Sequence, residues 1–456
     1  SALDDTEILS TLEWIKKQNE QVQVSVKKVN FKALDKWKFD SAHGNIRHET
    51  GKFFSIDGIR INTTWGNIPE WDQPVINQPE IGYLGFIVKE IDDMLMFLTQ
   101  AKIEPGNVNY VQLSPTLQAT RSNFQQAHKG KKPQYLDYFR NASKKEIVID
   151  QLQSEQGARF LKKRNRNIII KIEEEITVYD NFIWLTLGQL KALMQIDNIV
   201  NMDTRTVISG ISYGYYREET IAFSSILSRG ENYQSLFLKS ALSSEGSFNT
   251  FQDIISFMTE LKSNNDLTIH SVPLSQVRNW IITPDQIKHS DGKYFTVIGV
   301  EVEIGNREVV NWHQPMIEPA HEGLCAFVCK KIYGKMHFAV QAKLECGNYD
   351  VFEFAPTVQT LTGGYKETSK NSLPFLDYIL SVPKDNILFD TIQSEEGGRF
   401  YKEQNRNIVV IAGDEISEEL PPNFIWMTLN QIIRFTQFNN YINIQARNLI
   451  ASIPFT

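Results

Sequence analysis

Two stretches in the first half of the chain gather side chains that could do chemistry. From Ser114 to Phe124 the sequence reads SPTLQATRSNF, and His128 follows. Ser114, Gln118, Thr120, Arg121, Ser122, Asn123 and His128 offer donors and acceptors just after an apolar, strand-like run. Such a group can line a pocket for a polar ligand, although a turn-rich loop has the same composition. The second stretch is basic: Arg159, Lys162, Lys163, Arg164 and Arg166. Guanidinium forks match diphosphate oxygens, so the run is a candidate pyrophosphate clamp. The same residues would equally serve as a solvated strand edge that discourages aggregation. On a strand, Arg164 and Arg166 would point the same way.

Both stretches have echoes later in the chain. The octapeptide QSEQGARF, Gln153 to Phe160, returns as QSEEGGRF, Gln393 to Phe400, an offset of 240 residues. Asn165-Arg166-Asn167 returns as Asn405-Arg406-Asn407 at the same offset. Trp71-Asp72-Gln73-Pro74 pairs with Trp312-His313-Gln314-Pro315, and KIEPG from Lys102 pairs with KLECG from Lys343. A period this long is a duplicated domain, since solenoid repeats run to about 50 residues at most. The copies differ where an anion would sit. Ser114 becomes Ala355, Arg121-Ser122-Asn123 becomes Thr362-Gly363-Gly364, and Lys163-Arg164 becomes Glu403-Gln404. The first half is therefore expected to hold the working site. A weaker or relic pocket is expected in the second, around Trp312, Gln359, Arg399 and Arg406.

Several chemistries find no support. No phosphate-binding glycine motif stands at a strand-to-helix turn, and no G-x-S-x-G nucleophile motif occurs. His321, Cys325 and Cys329 are spaced by four, but they align with an extended apolar run. On a strand, four residues span about 13 Å, too far to share one ion, so buried thiols are expected and no metal site. No cofactor is expected.

The elements that must position these residues can be read coarsely. Residues 5–20 and 247–262 carry apolar side chains at helical spacing, so each copy opens with an amphipathic helix. Runs at Val22–Val29, Phe53–Ile61, Gly82–Val88, Met94–Lys102, Asn109–Leu113 and Asn167–Ile172 read as strands. Thr186–Met194 and Thr428–Phe435 read as helices. Two α+β domains follow, residues 1–210 and 247–456, each a mixed β-sheet packed with helices. Residues 211–246 have no counterpart and are read as a connector on the surface, part of it helical.

The chain has 456 residues, so each half is long enough to bury a core. A net charge of −7 argues against a general binder of nucleic acid or anionic membranes. Three cysteines, all in the second half, fit a reducing cytoplasm better than a disulfide framework. No stretch reads as a membrane span or signal peptide, and Ser1-Ala2 resembles the remnant of a processed tag.

The combination of SPTLQATRSN, YLDYF, QSEQGARF, KRNRN and FIWLTLGQL in the first half, with shorter echoes in the second, resembles the NDP-hexose 2,3-dehydratase family. The resemblance covers nearly the whole chain. It implies a cytoplasmic lyase acting without a cofactor on a dTDP-linked 4-keto-6-deoxyhexose. It also implies two tandem Nudix-like domains, a homodimer, one catalytic and one remnant pocket, and a downstream NADPH-dependent 3-ketoreductase. The Nudix catalytic box, G-x5-E-x7-R-E-x-x-E-E, does not occur here.

That reaction needs a base at sugar C3, donors on the C4 oxygen and an acid for the departing C2 hydroxyl. His128 is the first candidate base, since histidine titrates near neutrality. Glu155 and Tyr138 are alternates, although both have counterparts in the second copy. Arg121 and Asn123 are candidates for the oxyanion, Arg159, Arg164 and Arg166 for the diphosphate, and Trp65 for stacking on the base or sugar. Two rival readings remain at this point: a Nudix-like sugar-nucleotide hydrolase, and a non-catalytic nucleotide-sugar binding protein.

Overall fold

The computed structural model describes residues 5–120, 132–213, 233–305, 310–361 and 373–454. Arg121, Ser122, Asn123 and His128 lie outside the described residues, as do Thr362, Gly363 and Gly364. Each half opens with the expected helix, Asp5–Glu20 and Phe251–Asn264. The second starts at a capping box. The Thr250 hydroxyl accepts from the Asp253 amide, and the Asp253 carboxylate accepts from the Thr250 amide. Its apolar face buries Ile254 and Met258.

A seven-stranded mixed sheet forms the centre of each half. In the first, Gly82–Ile91 lies between Arg164–Ile172, which runs parallel to it, and Met94–Ile103, which runs antiparallel. Ile147–Ser154 and Phe182–Thr186 flank these, and short strands Val111–Ser114 and Leu117–Ala119 continue the sheet. The second half repeats this order around Gly323–Ile332, Gln404–Ala412 and Lys335–Lys343. Ile168, Ile169, Ile170 and Ile172 are all buried, so successive side chains pack on both faces. A strand covered on both sides needs such an unbroken apolar run. The α+β reading of mixed sheets with helices holds in both halves.

The halves are not separable bodies. Val24–Val29 leaves its own half and pairs antiparallel with Phe295–Ile304 of the second, from Val24↔Ile304 to Val29↔Gly299. Leu267–Val272 makes the reciprocal crossing onto Ser55–Thr63 of the first, from Leu267↔Thr63 to Val272↔Gly58. Each five-stranded sheet thus contains one strand from the other copy. The cores merge accordingly. Phe31, Trp37 and Phe54 share one cluster with Leu274, Phe295 and Val297, and Phe160 meets Phe400 edge-on at 5.7 Å.

The expected connector is partly structural. Its helix, Tyr233–Leu242, buries Leu236, Phe237 and Ala241 in the core of the second half rather than lying on the surface. None of the helices among the described residues is long and apolar enough to cross a membrane.

Candidate active site

The repeated octapeptide forms a turn that docks on the opposite half. The amide of Gly106 donates to the Gly397 carbonyl at 2.7 Å, and the amide of Lys402 donates to the Gly106 carbonyl at 2.7 Å. The mirror pair is Gly347 to Gly157 and Lys162 to Gly347, also at 2.7 Å. The approach requires glycine. A Cβ on Gly106 would stand 1.7 Å from the Phe400 carbonyl oxygen, and one on Gly347 equally close to that of Phe160. The KIEPG and KLECG loops and the two octapeptides are therefore reciprocal docking partners. Each octapeptide leaves its first glutamate at its own pocket and carries its later residues into the other.

A cavity of about 110 Å³ opens at the first of these crossings. Glu104, Gln118, Glu155, Lys163, Asn165 and Asp203 line it from the first half, and Glu396, Gly398 and Arg399 from the second. Glu155 directly follows the strand Ile147–Ser154, and Asp203 rides on the helix Met202–Ile208, which Asn201 caps by accepting from the Thr204 amide. Asn165 Nδ2 donates to Glu155 Oε2 at 2.7 Å, and Gln118 Nε2 donates to Glu104 Oε1 at 2.7 Å. Lys163 Nζ donates to the Glu80 carbonyl. Glu155 Oε1, Asp203 Oδ1, Glu396 Oε2 and Arg399 Nε are buried without a hydrogen-bond partner. So many unmatched polar atoms around one cavity are costly unless a ligand meets them.

The second crossing has the same frame and a different charge pattern. Gln359 Nε2 donates to Glu345 Oε1 at 2.8 Å, and Asn405 Nδ2 donates to Glu395 Oε1 at 2.5 Å, as Gln118 and Asn165 do in the first. Here Gln156 from the other half donates to Glu395 Oε2 at 2.8 Å, and Arg159 pairs with Glu403 and donates to the Leu361 carbonyl at 3.2 Å. In the first pocket the matching positions are Glu396, Arg399 and Lys163. An attractive pair, Arg159 and Glu403, is thereby replaced by two cations that repel. Gln445, the counterpart of Asp203, removes one more carboxylate from the second.

Burial and these neighbours set the charges. Burial raises the Glu155 carboxyl, while Lys163 and Arg447 pull it back toward the anion. Burial pulls the Lys163 ammonium down to about 8, against the opposing pull of Glu155 and Glu80. Burial, with Glu104 and Glu155 adding to it, pushes the Glu396 carboxyl up to about 7. Asp203 is raised well above the usual carboxylate range, first by burial and then by Glu155, Glu104 and Glu396. The cavity thus offers a buried carboxyl opposed by nearby cations, a titrating ammonium and two carboxyls inclined to hold protons. Such divergent environments are the pattern of acid–base sites.

Of the residues singled out in the sequence, Gln118, Thr120, Glu155 and Lys163 line this cavity. Ser114 supports it by donating to Gln118 Oε1 at 2.9 Å. Arg159 does not reach it: this fully buried guanidinium serves Glu403 in the second pocket. Arg399, assigned to the second pocket, lines the first. The expected placements of these two are exchanged because the turns cross. Arg164 stacks on Tyr349 at 4.0 Å, while Arg166 pairs with Asp150 and donates to the Tyr83 hydroxyl at 3.2 Å. Arg406 repeats the outer pair with Asp390. Trp65 packs edge-on against Phe352 of the second half at 5.0 Å rather than facing the cavity. Tyr138 lines a separate surface hollow with Asp137 and Glu146. Trp312 Nε1 donates to Gln314 at 2.8 Å, as Trp71 does to Gln73 at 3.0 Å, and Gln359 stays in the second pocket.

Asp203 and Glu396 were missed, yet the signal was present. Gln156 becomes Glu396 and Asp203 becomes Gln445 in the same alignment that flagged Lys163 and Glu403. Among the described residues no group of three His, Cys, Asp or Glu side chains is arranged for a metal. Cys325 and Cys329 are buried on the strand Gly323–Ile332, where burial raises both thiols.

Comparison with known proteins places this geometry. A family model described as NDP-hexose 2,3-dehydratase matches residues 9–211 and again 251–453. Three curated relatives carry the name dTDP-4-dehydro-6-deoxy-alpha-D-glucopyranose 2,3-dehydratase. One from Saccharopolyspora spinosa is 42% identical over 441 residues, 96% of this chain and 90% of its own. One from Amycolatopsis orientalis is 37% identical over 446 residues, 96% and 88% of the two chains. One from Streptomyces violaceoruber is 38% identical over 423 residues, 92% and 91%.

Proposed function

The chain belongs to the NDP-hexose 2,3-dehydratase family, and from that premise we propose that it dehydrates dTDP-4-keto-6-deoxyglucose in the first pocket. The observation that carries the location is the set of charge replacements. Lys163, Asp203 and Glu396 stand where the otherwise matching second pocket has Glu403, Gln445 and Gln156.

The C4 ketone acidifies the proton on C3. Glu155 takes that proton: burial raises its carboxyl and makes it a stronger base, Lys163 and Arg447 oppose burial and favour the anion, and Asn165 fixes one oxygen. Its other oxygen, Oε1, is buried and unpartnered, so it is available to the sugar. Lys163 faces the C4 oxygen, where charge gathers as the enediolate forms. An ammonium in a dry site stabilises such charge strongly because little solvent screens it. The enediolate then expels the C2 hydroxyl as water, and the resulting enol tautomerises to the 3-ketone. Positioned acid–base groups of this kind give about 10²–10⁴-fold each.

Arg399 supplies positive charge for the diphosphate. Arg121, Ser122, Asn123 and His128 are proposed to complete the same pocket, with His128 as a competing candidate for the base. Each half is taken as a Nudix-like layer, 1–210 and 247–456. The enzyme is proposed to act as a cytoplasmic homodimer that hands its diketo product to an NADPH-dependent 3-ketoreductase.

The test is to mix the protein with dTDP-4-keto-6-deoxyglucose, with and without a chelator and a 3-ketoreductase, and to follow products by mass spectrometry. Loss of water that survives the chelator supports the dehydratase. Metal-dependent cleavage of the diphosphate would indicate a hydrolase, and binding without turnover a sensor.

A further inference from the structure

We infer that Glu396, carried by the second half, is the general acid that protonates the C2 hydroxyl as it leaves the sugar in the first pocket. The inference rests on the dehydratase reading above and names the acid that reading leaves open.

Glu396 belongs to the turn that docks on Gly106, so backbone hydrogen bonds between the halves hold its position. Its Oε1 accepts from the Gly398 amide at 2.8 Å, which fixes the carboxyl plane. Its Oε2 is buried, unpartnered and at the wall of the cavity that Glu155 and Lys163 also line. The matching residue of the other pocket shows what this place normally does. Gln156 there donates an amide hydrogen to Glu395, the counterpart of Glu155. A carboxyl in place of that amide confronts Glu155 with a second acidic group. Two carboxyls around one small cavity hold one proton more readily than none.

Their surroundings decide which holds it. Burial raises Glu155 as well, but Lys163, Arg447 and the Asn165 amide all favour its anion. Glu396 meets Glu104 and Glu155, and burial with these two neighbours keeps its carboxyl protonated up to about 7. Arg399 opposes them, but it is shared with the other carboxylates of the cavity. Glu155 therefore begins as the base and Glu396 as the acid.

The step balances without a further reagent. Glu155 removes the proton from C3, and the C–H electron pair moves into the enediolate on C4. That pair returns to form the C2–C3 double bond and restore the C4 ketone as the C2–O bond breaks. The oxygen leaves with a proton from Glu396, as water. The enol at C3 then becomes a ketone while C2 takes up a proton. Transfer from Glu155 back to Glu396 completes the cycle.

The test separates the two proton transfers. The full-length protein is incubated with dTDP-4-keto-6-deoxyglucose in deuterium oxide, and deuterium at C3 and loss of water are measured together. Glu396→Gln should keep exchange at C3 while elimination falls about 10²–10⁴-fold. Glu155→Gln should lose both. Glutamine is what the other repeat carries at the place of Glu396, so Glu396→Gln is expected to fold, and a thermal melt checks it. A substrate with fluorine in place of the C2 hydroxyl needs no proton to leave, so Glu396→Gln should process it at close to the wild-type rate. The inference is overturned if Glu396→Gln eliminates water normally, if it loses exchange at C3, if fluoride loss is not restored, or if Asp203→Asn alone gives the exchange-only behaviour. Absence of both exchange and elimination in the wild type would instead overturn the dehydratase reading.

Discussion

Where the first pocket has Lys163 facing Arg399, the second has Glu403 paired with Arg159. The frame around them is the same: side-chain bonds from glutamine to glutamate and from asparagine to glutamate, and a turn from the other half closing the wall. In the second pocket an incoming arginine finds a carboxylate and an incoming glutamine finds Glu395, although Arg159 Nε, Glu403 Oε1 and Gln156 Oε1 stay unpartnered there too. In the first, the incoming groups are Arg399 and Glu396: Glu396 faces Glu104 and Glu155, while Arg399 is shared among the carboxylates and opposes the Lys163 ammonium. What sets the first pocket apart is its charge: a titrating ammonium and crowded carboxyls stand where the second has an ion pair. A duplicated frame thus carries two different charge patterns, through a few replacements.

The widest separation between the copies is expected at Lys163 and Glu403. Lys163→Met should lower kcat by about 10²–10³-fold, the usual cost of one preorganised donor. Glu403→Gln should leave kcat within a few fold. It strands a buried guanidinium, so stability to urea should fall by about 3–5 kcal/mol. Comparable losses of kcat in both variants would break the contrast.

The pH profile sharpens it. Lys163 must be charged to face the enediolate, and its ammonium is lost as pH rises through about 8. Burial sets that value first and Arg399 adds to it, while Glu155, Glu80 and Glu396 oppose it from the surrounding walls. With Glu396 required as the acid, kcat/KM should decline from about pH 7 upward. Lys163→Arg should remove the part of the decline near 8, because a guanidinium stays charged. A profile that rises through this range would mean that Lys163 acts as a base.

The docking glycines come next. Gly106→Ala and Gly347→Ala should each cost about 1–3 kcal/mol in thermal unfolding, since both force a Cβ into backbone. Gly106→Ala should also lower kcat beyond its effect on folding, and more than Gly347→Ala, because Gly106 seats the turn next to Glu396 while Glu155 lies at the strand end before the turn that Gly347 seats.

The smallest effect is expected at the surface pairs Arg166–Asp150 and Arg406–Asp390. Replacing either arginine with alanine should cost about 0–1 kcal/mol. KM should not move in either variant. A raised KM in Arg166→Ala alone would restore the diphosphate role first read from the basic run.

Much of the molecule was legible in the order of residues. The duplication, the helix that opens each copy, the apolar strands and the charge reversal from Lys163 to Glu403 all follow from local pattern and an offset of about 240 residues. Glu155 and Gln118 were found because their residue types and positions are local facts. What could not be read was which pocket each residue serves. An offset identifies Arg159 with Arg399 and Gln156 with Glu396, yet it is silent on whether a turn closes its own half or its neighbour. The hydrogen bonds of a docked turn are the same in either case. Only the crossing of Val24–Val29 and Leu267–Val272, and the close seats at Gly106 and Gly347, settle the choice. Those contacts join residues hundreds of positions apart, so the tertiary structure alone brings Glu396 and Arg399 to Glu155.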